Sequence, residues 1–246
     1  SETAFPYSNK LKASEIYAVE EVEDPAYRSE DGIVFSADGH TLIRYPVGKE
    51  DRSYTVPAAV TEIAASAFRD ITYGDYRFPD FYGALEELTL PSNLKTVGER
   101  AFYQRGNMRV VQFNNDRSNV EWTVGDYAFY DTLLSQFPFE KNLVKIGAYA
   151  FSGGYTINHP TLPGDLVLYE KIESIGESAF SSAGCFTSVK IPASLKSIGS
   201  AAFSSAGLQE VTFEAGSSLS AIPDSLFGYA DITSIDLPDG IASIGD

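Results

Sequence analysis

The stretch Ile175-Gly-Glu-Ser-Ala-Phe180 is one copy of a unit that recurs along the whole chain. Close variants stand at residues 63–68, 97–102, 124–129, 146–151, 198–203 and 222–227, and Ile244-Gly-Asp246 begins an eighth. Successive Ile/Val positions of the unit lie 34, 27, 22, 29, 23, 24 and 22 residues apart. Repeats of that length mean stacked units, because one unit cannot bury its apolar face alone and does so against its neighbours. Repetition therefore predicts a solenoid before any residue chemistry is considered.

Outward from the quoted stretch, the full unit reads Leu-x-x-Val-x-Ile-Pro, a spacer, then Leu-x-x-Ile-Gly-x-x-Ala-Phe. Residues 186–203 carry it as Phe186, Val189, Ile191, Pro192, Leu195, Ile198, Gly199, Ala202 and Phe203. Residues 85–102 carry it again from Leu85 through Leu88, Leu90 and Pro91 to Phe102. Val-x-Ile is a period-2 pattern that puts both side chains on one face of a short strand. Proline ends that strand by withdrawing a donor. Glycine after Ile permits a bend, and the following residues suit a single helical turn. The Ala of that turn lets coils approach, and the Phe fills the space between them. The spacings above about 22 mark insertions at 69–83, 114–119 and 153–164. Such insertions map to loops.

Residues 54–246 thus predict a solenoid of about eight repeats, the last incomplete, built of short parallel strands, single helical turns and loops. Residues 1–53 read as a cap. Residues 16–19 suit one short strand and Glu20 to Asp24 a loop. Ile33-Val-Phe35 and Thr41 to Tyr45 are β-prone runs around Asp38-Gly39, a strong hairpin signal, with a second turn at Asp31-Gly32. A β-hairpin there closes the N-terminal end of the stack, where an uncovered apolar cross-section would associate. At the other end the eighth copy stops before its Ala-Phe, which predicts weak self-association through that face.

The unit resembles the leucine-rich repeats of bacterial BspA-like surface proteins, across residues 54–246. Tyr27-x-Ser-x-Asp-Gly-Ile-Val-Phe35 and Leu42-Ile-x-Tyr-Pro46 resemble a hairpin element that accompanies such repeats. Local departures are Ala64 and Pro223 in place of the Gly and Leu226 in place of the Ala. The resemblance implies a leucine-rich-repeat fold and an exported, extracellular or cell-surface protein used for adhesion or protein binding. A glycan-binding or scaffold component of a surface assembly is the alternative. It implies no catalytic residues and no cofactor. This stretch carries no signal peptide; its start at Ser1-Glu-Thr suits a removed leader.

Composition bounds the partners. Formal net charge is −16, every Lys and Arg lies at or before Lys196, and the last fifty residues hold seven acids. Nucleic acid is excluded as an expected partner, since phosphate contacts need a basic stripe. No apolar run approaches the roughly 20 residues that span a bilayer. The single Cys185 allows neither an intrachain disulfide nor a Cys-based metal cluster. His40 and His159 are far apart and read as turn residues, so no nucleophile, base and orienter converge, and the chain reads as a non-enzyme without metal or cofactor.

Two surfaces remain as candidates for binding a protein or glycan. One is the outward face of the Val-x-Ile strands: Glu87, Thr89, Val110, Gln112, Gln136, Pro138, Val167, Ser188, Lys190, Glu210, Thr212, Ser234 and Asp236. With about 4.8 Å between strands, eight of them would make a wall nearly 40 Å wide. The other is the insertion after Arg69, which holds Tyr73, Tyr76, Phe78, Phe81 and Tyr82 beside Asp75, Arg77 and Asp80. Tyrosine offers large contact area at low rotamer cost, so these five rings are the expected ligand contacts. Packing of the same rings against the flank of the first coils is the competing expectation.

Overall fold

The computed structural model describes residues 26–46, 48–69, 84–114, 119–139, 142–153, 164–183 and 186–246. The expected strand at 16–19, the five insertion aromatics, His159 and Cys185 lie outside the described residues.

At the N-terminal end, β1 (Tyr27–Glu30), β2 (Ile33–Ser36) and β3 (Thr41–Arg44) form an antiparallel meander. The expected hairpin is β2–β3, and Asp31-Gly32 adds a second one. Asp31 and Gly32 have φ of 50° and 74°, the mirror-image turn whose twist suits paired strands. The cap then joins the stack directly. Tyr45 N–H donates to the Ala67 carbonyl at 2.9 Å, and His40 Nδ1 lies 2.8 Å from the Ala59 carbonyl. Burial, followed by Asp51, pushes the Tyr45 phenol up to about 12.

Seven coils and the start of an eighth follow. They contribute, in order, β4 (Ser53–Thr55) and β5 (Glu62–Ile63); β6 (Glu87–Leu90) and β7 (Thr96–Val97); β8 (Val110–Phe113) and β9 (Trp122–Val124); β10 (Leu143–Ile146); β11 (Gly164–Val167) and β12 (Ser174–Ile175); β13 (Phe186–Ile191) and β14 (Ser197–Ile198); β15 (Glu210–Phe213) and β16 (Ala221–Ile222); and β17 (Ser243–Ile244). The strands that end in the recurrent Ile/Val form one wall, β3-β5-β7-β9-β10-β12-β14, parallel throughout, and β16–β17 carry it on. The Val-x-Ile strands form a second wall.

That second wall is not the continuous eight-stranded surface expected. It is two groups, β4-β6-β8 and β11-β13-β15, and the coil between them adds only a bridge from Val110 to Gln136. Phe137, Pro138 and Phe139 are all buried there, where alternation would put one of them outside. Pro138 is thus an inward residue rather than an outward one, and as a proline it has no N–H to give to a ladder. No strand is described at Ser234 and Asp236 either, although both are exposed.

The third wall corrects the expected helical turn. Among the described residues there is no helix. After each Ile-Gly the chain makes successive tight turns. Ala101 N–H donates to the Gly98 carbonyl at 3.2 Å, and Arg105 N–H to the Phe102 carbonyl at 3.0 Å. Other N–H groups reach the next coil: Arg100 to Asp126 at 2.9 Å, Phe102 to Ala128 at 2.7 Å and Gln104 to Tyr130 at 2.8 Å. Backbone donors that a helix would satisfy internally thus bond between coils, and the turns stack as a third ladder. The geometry requires left-handed residues at fixed places: Ser66, Arg100, Tyr127, Tyr149, Ser178, Ala201 and Ser225 all have φ between 50° and 58°.

The repeated glycine serves close approach, not the bend. A Cβ on Gly98, Gly125, Gly147, Gly176 or Gly199 would stand 2.6, 2.8, 2.5, 2.3 and 2.3 Å from the nearest backbone nitrogen of the preceding coil. Inside, the recurrent Phe side chains form one ring stack: Tyr45, Phe68, Phe102, Phe129, Phe151, Phe180, Phe203 and Phe227, with centroids 4.6–6.0 Å apart. Phe68, Phe102, Phe180 and Phe203 are fully buried. In the eighth coil Leu237 is 37% and Ile244 65% exposed.

Candidate functional site

The turns of the third wall point Ala (Leu226 in the seventh coil) and Phe inward, so the residue before Ala and the residue after Phe flank them on the surface side, with Ser152 and Ser178 themselves buried. Stacking the coils lines these up in two rows. One reads Ser66, Arg100, Tyr127, Tyr149, Ser178, Ala201, Ser225; the other reads Arg69, Tyr103, Tyr130, Ser152, Ser181, Ser204, Gly228. Four tyrosines from three consecutive coils therefore meet on one surface, each half-buried.

The rings are ordered. Tyr103 and Tyr130 stack at 5.1 Å with 10° between planes, and Tyr127 and Tyr149 at 4.8 Å with 4°. The two stacks touch, with Tyr127 5.7 Å from Tyr130 and 6.3 Å from Tyr103. Each stack is closed at its N-terminal end by a guanidinium: Arg69 lies 5.3 Å over Tyr103 and Arg100 4.9 Å over Tyr127. Arg100 also pairs with Glu99. At the other end the Tyr149 hydroxyl donates to Glu177 Oε1 at 2.9 Å, which raises its pKa by favouring the protonated phenol. Exposed Glu99, Asp126, Asp131 and Glu177 border the rings. Chemically this is a raft of ring rims, hydroxyls and guanidinium edges between carboxylates.

Of the outward strand positions expected from the sequence, Glu87, Gln112, Gln136, Val167, Lys190, Glu210 and Thr212 are exposed, and Thr89, Val110 and Ser188 are half-buried. Asp165 accepts from Ser188 at 2.7 Å and Thr187 at 3.1 Å, which holds its carboxyl below the usual range. Lys190 pairs with Glu214 at 2.6 Å. Those charges answer one another and gather no cluster of rings. A cavity of about 470 Å³ at the cap is lined by Asp31, Gly32, Pro46, Gly48, Lys49, Glu50 and Asp51. Lys49 there bridges Asp31 at 2.5 Å and Asp51 at 3.3 Å. Among the described residues no group of three or more His, Cys, Asp or Glu could hold a metal ion, and no helix is long and apolar enough to cross a membrane.

The raft was readable and missed. Gly98-Glu-Arg-Ala-Phe-Tyr103, Gly125-Asp-Tyr-Ala-Phe-Tyr130 and Gly147-Ala-Tyr-Ala-Phe-Ser152 place Tyr at the same two variable sites in successive copies. A helical turn would have fanned those sites apart; a ladder of turns superposes them.

The family profile for the BspA-type leucine-rich repeat region matches in six copies, over residues 72–171 and 164–246. The chain belongs to the BspA-type leucine-rich repeat family. The crystal structure of a leucine-rich repeat protein of T. pallidum is similar to this BspA-type chain at a TM-score of 0.50 and 21% identity, covering 92% of this chain and 86% of that one. That likeness speaks to fold alone. A leucine-rich cell surface protein of Faecalibacterium prausnitzii A2-165 is 20% identical over 92% of this chain and 84% of that one, at a TM-score of 0.36. No protein of curated function matches the chain.

Proposed function

We propose that this BspA-type protein is an exported or cell-surface module that binds a protein partner in adhesion, and that the turn wall of its first four coils is the contact surface. The observation that carries the reading is the raft: four tyrosines and two arginines on one rigid face, in a chain whose other coils put serine, alanine and glycine at the same sites. Tyrosine and arginine are the residues enriched where protein interfaces concentrate their energy. A solenoid suits such work because its surface is held by the stack and loses little entropy on binding. The name of the Faecalibacterium relative, a cell surface protein, supports the location.

The insertion rings Tyr73, Tyr76, Phe78, Phe81 and Tyr82 belong to the same proposal. Their segment follows Arg69, which caps the Tyr103 stack. The test is binding of the 246-residue chain to panels of purified extracellular-matrix and serum proteins, beside a glycan array. Tyr103, Tyr127, Tyr130 and Tyr149 are replaced by Ser in one variant, and Tyr73, Tyr76 and Tyr82 in a second. Binding lost in the first with the fold intact supports the turn wall. Binding lost in the second with the melting temperature within a few degrees brings in the insertion. Lost stability with binding intact assigns that insertion to packing.

A further inference from the structure

The first wall carries a charge pattern of its own. Coil 1 shows Glu62, coil 2 Lys95, coil 3 Glu121, coil 4 Lys145, coil 5 Glu173 and coil 6 Lys196, all exposed and alternating in sign. Parallel register sets these coils side by side: Glu62 lies against Thr96, Thr96 against Thr123, Thr123 against Lys145, Lys145 against Ser174 and Ser174 against Ser197. Lys95 and Glu173 stand one residue before the paired Thr96 and Ser174, so they share one column of the wall. At about 4.8 Å per strand the series is roughly 24 Å long. Six charges of alternating sign are self-complementary, because reading them from the other end inverts every sign. A second copy facing this wall with its axis reversed, about a two-fold between coils 3 and 4, sets Glu62 near its Lys196, Lys95 against its Glu173 and Glu121 near its Lys145.

We propose that the first wall is a self-docking surface, on which two copies of this chain associate antiparallel, wall to wall. One patch meeting itself is what a two-fold interface requires. The charges are available for it. Lys196 pairs with Glu173 at 2.9 Å and Lys171, at the wall's edge, with Glu121 at 3.3 Å, while no described ion pair engages Glu62, Lys95 or Lys145. Exposed pairs of this kind hold little energy, so their members can exchange partners across an interface. The short side chains of Thr96, Thr123, Ser174 and Ser197 let two such walls approach. Copies with a formal charge of −16 repel one another wherever acids dominate, and this series balances three Lys with three Glu. A strip so narrow falls well short of the roughly 800 Å² per partner of a stable complex, so the dimer is transient and forms where the chain is concentrated. The turn wall lies on another side of each coil, and this inference does not rest on its role.

Charge reversal tests it. Sedimentation velocity at low ionic strength, up to millimolar protein, is run on the unaltered 246-residue chain, on Lys95→Glu, on Glu173→Lys and on an equimolar mixture of the two variants. Lys95 of each copy meets Glu173 of the other, so either reversal alone sets like charges together twice in each dimer. It should weaken dimerisation about tenfold, the loss expected when two facing pairs change from opposite to like charge. In the mixture every one of those contacts is again between opposite charges, and dimerisation should return. Such recovery cannot come from pairing within a chain, since each chain carries one change only. Added salt should weaken the dimer of the unaltered chain, and melting temperatures show that both variants are folded. A strict monomer overturns the proposal. So does dimerisation indifferent to both reversals, as contact through the eighth coil would give, and so does a mixture that associates no better than its components.

Discussion

Coils 2–4 and coils 5–7 share one backbone and differ in what it carries. In the first group the left-handed site of the turn wall holds Arg100, Tyr127 and Tyr149 at φ of 53°, 56° and 56°; in the second it holds Ser178, Ala201 and Ser225 at 50°, 54° and 51°. The neighbouring row changes from Tyr103, Tyr130 and Ser152 to Ser181, Ser204 and Gly228. Inward, one site changes: Ala101, Ala128 and Ala150 correspond to Ala179, Ala202 and, in coil 7, Leu226, while the ring stack runs unbroken from Phe102 to Phe227. A left-handed backbone is uncommon for any L-residue and an outlier for a bulky one. The fold accepts it everywhere, so serine is sufficient for the fold and tyrosine answers to something else. The comparison separates two jobs within one repeat: inward and close-approach sites build the coil, and outward sites are free to serve recognition.

If that separation holds, the largest effects come from inward sites and are the same in both halves. Phe129→Ala, Phe180→Ala and Phe203→Ala should each cost roughly 3–5 kcal/mol, the usual range for emptying a buried aromatic site. Chemical denaturation midpoints measure it. A cost in the serine half well below that in the aromatic half would mean that the tyrosine raft is holding its coils together, and the comparison would fail.

A smaller and equally shared effect is expected at the glycine row. Gly125→Ala and Gly176→Ala each drive a methyl to 2.8 and 2.3 Å from the nitrogen of the preceding coil. Backbone on both sides cannot yield as a flexible side chain would. Overpacking of that kind costs roughly 1–3 kcal/mol, with Gly176→Ala the worse of the two. By contrast Ala64 and Pro223 show that the glycine is dispensable in some coils. Equal, negligible shifts in melting temperature for both variants would return glycine to the role of a bend former.

How far the sequence could be read follows from which physical quantity each feature depends on. Period and alternation are visible one copy at a time, so the stack, its β-hairpin cap and the inward Phe and Ala were legible from residues such as Ile198 to Phe203. Backbone hydrogen bonding is not visible in that way. Whether the N–H of Phe102 bonds within its own coil or to Ala128 in the next decides between a helical turn and a ladder, and short apolar segments fit both. That choice in turn hid the raft, because only a ladder brings Tyr103 over Tyr130 and Tyr127 over Tyr149. The break in the second wall has a similar origin. Phe137-Pro138-Phe139 looked like one more Val-x-Ile strand, yet a proline at its centre and burial of all three leave only the bridge at Gln136.

The smallest expected effect tests the outward sites from both directions. Tyr103→Ser with Tyr130→Ser makes coils 2 and 3 resemble the serine half; Ser181→Tyr with Ser204→Tyr gives coils 5 and 6 the ring pair they lack. The second pair occupies the row after Phe, where φ is not left-handed, so no added backbone cost attends the change. Both serines are half-buried, as the tyrosines are. An offset ring pair is worth about 0.5–1.5 kcal/mol beyond its area, and exposure leaves these pairs at the lower end. Removal should therefore lower stability by about 1 kcal/mol, and addition should raise it by the same amount or less. Near-ultraviolet circular dichroism reports loss and gain of the stacked tyrosine signal, and denaturation measures the energy. A loss of several kcal/mol on removal would place Tyr103 and Tyr130 among the residues that build the coil, leaving their outward rims incidental. A loss near 1 kcal/mol, matched by a gain at Ser181 and Ser204, would show that any coil of this solenoid can hold a raft and that coils 2–4 were given one for a purpose other than standing up.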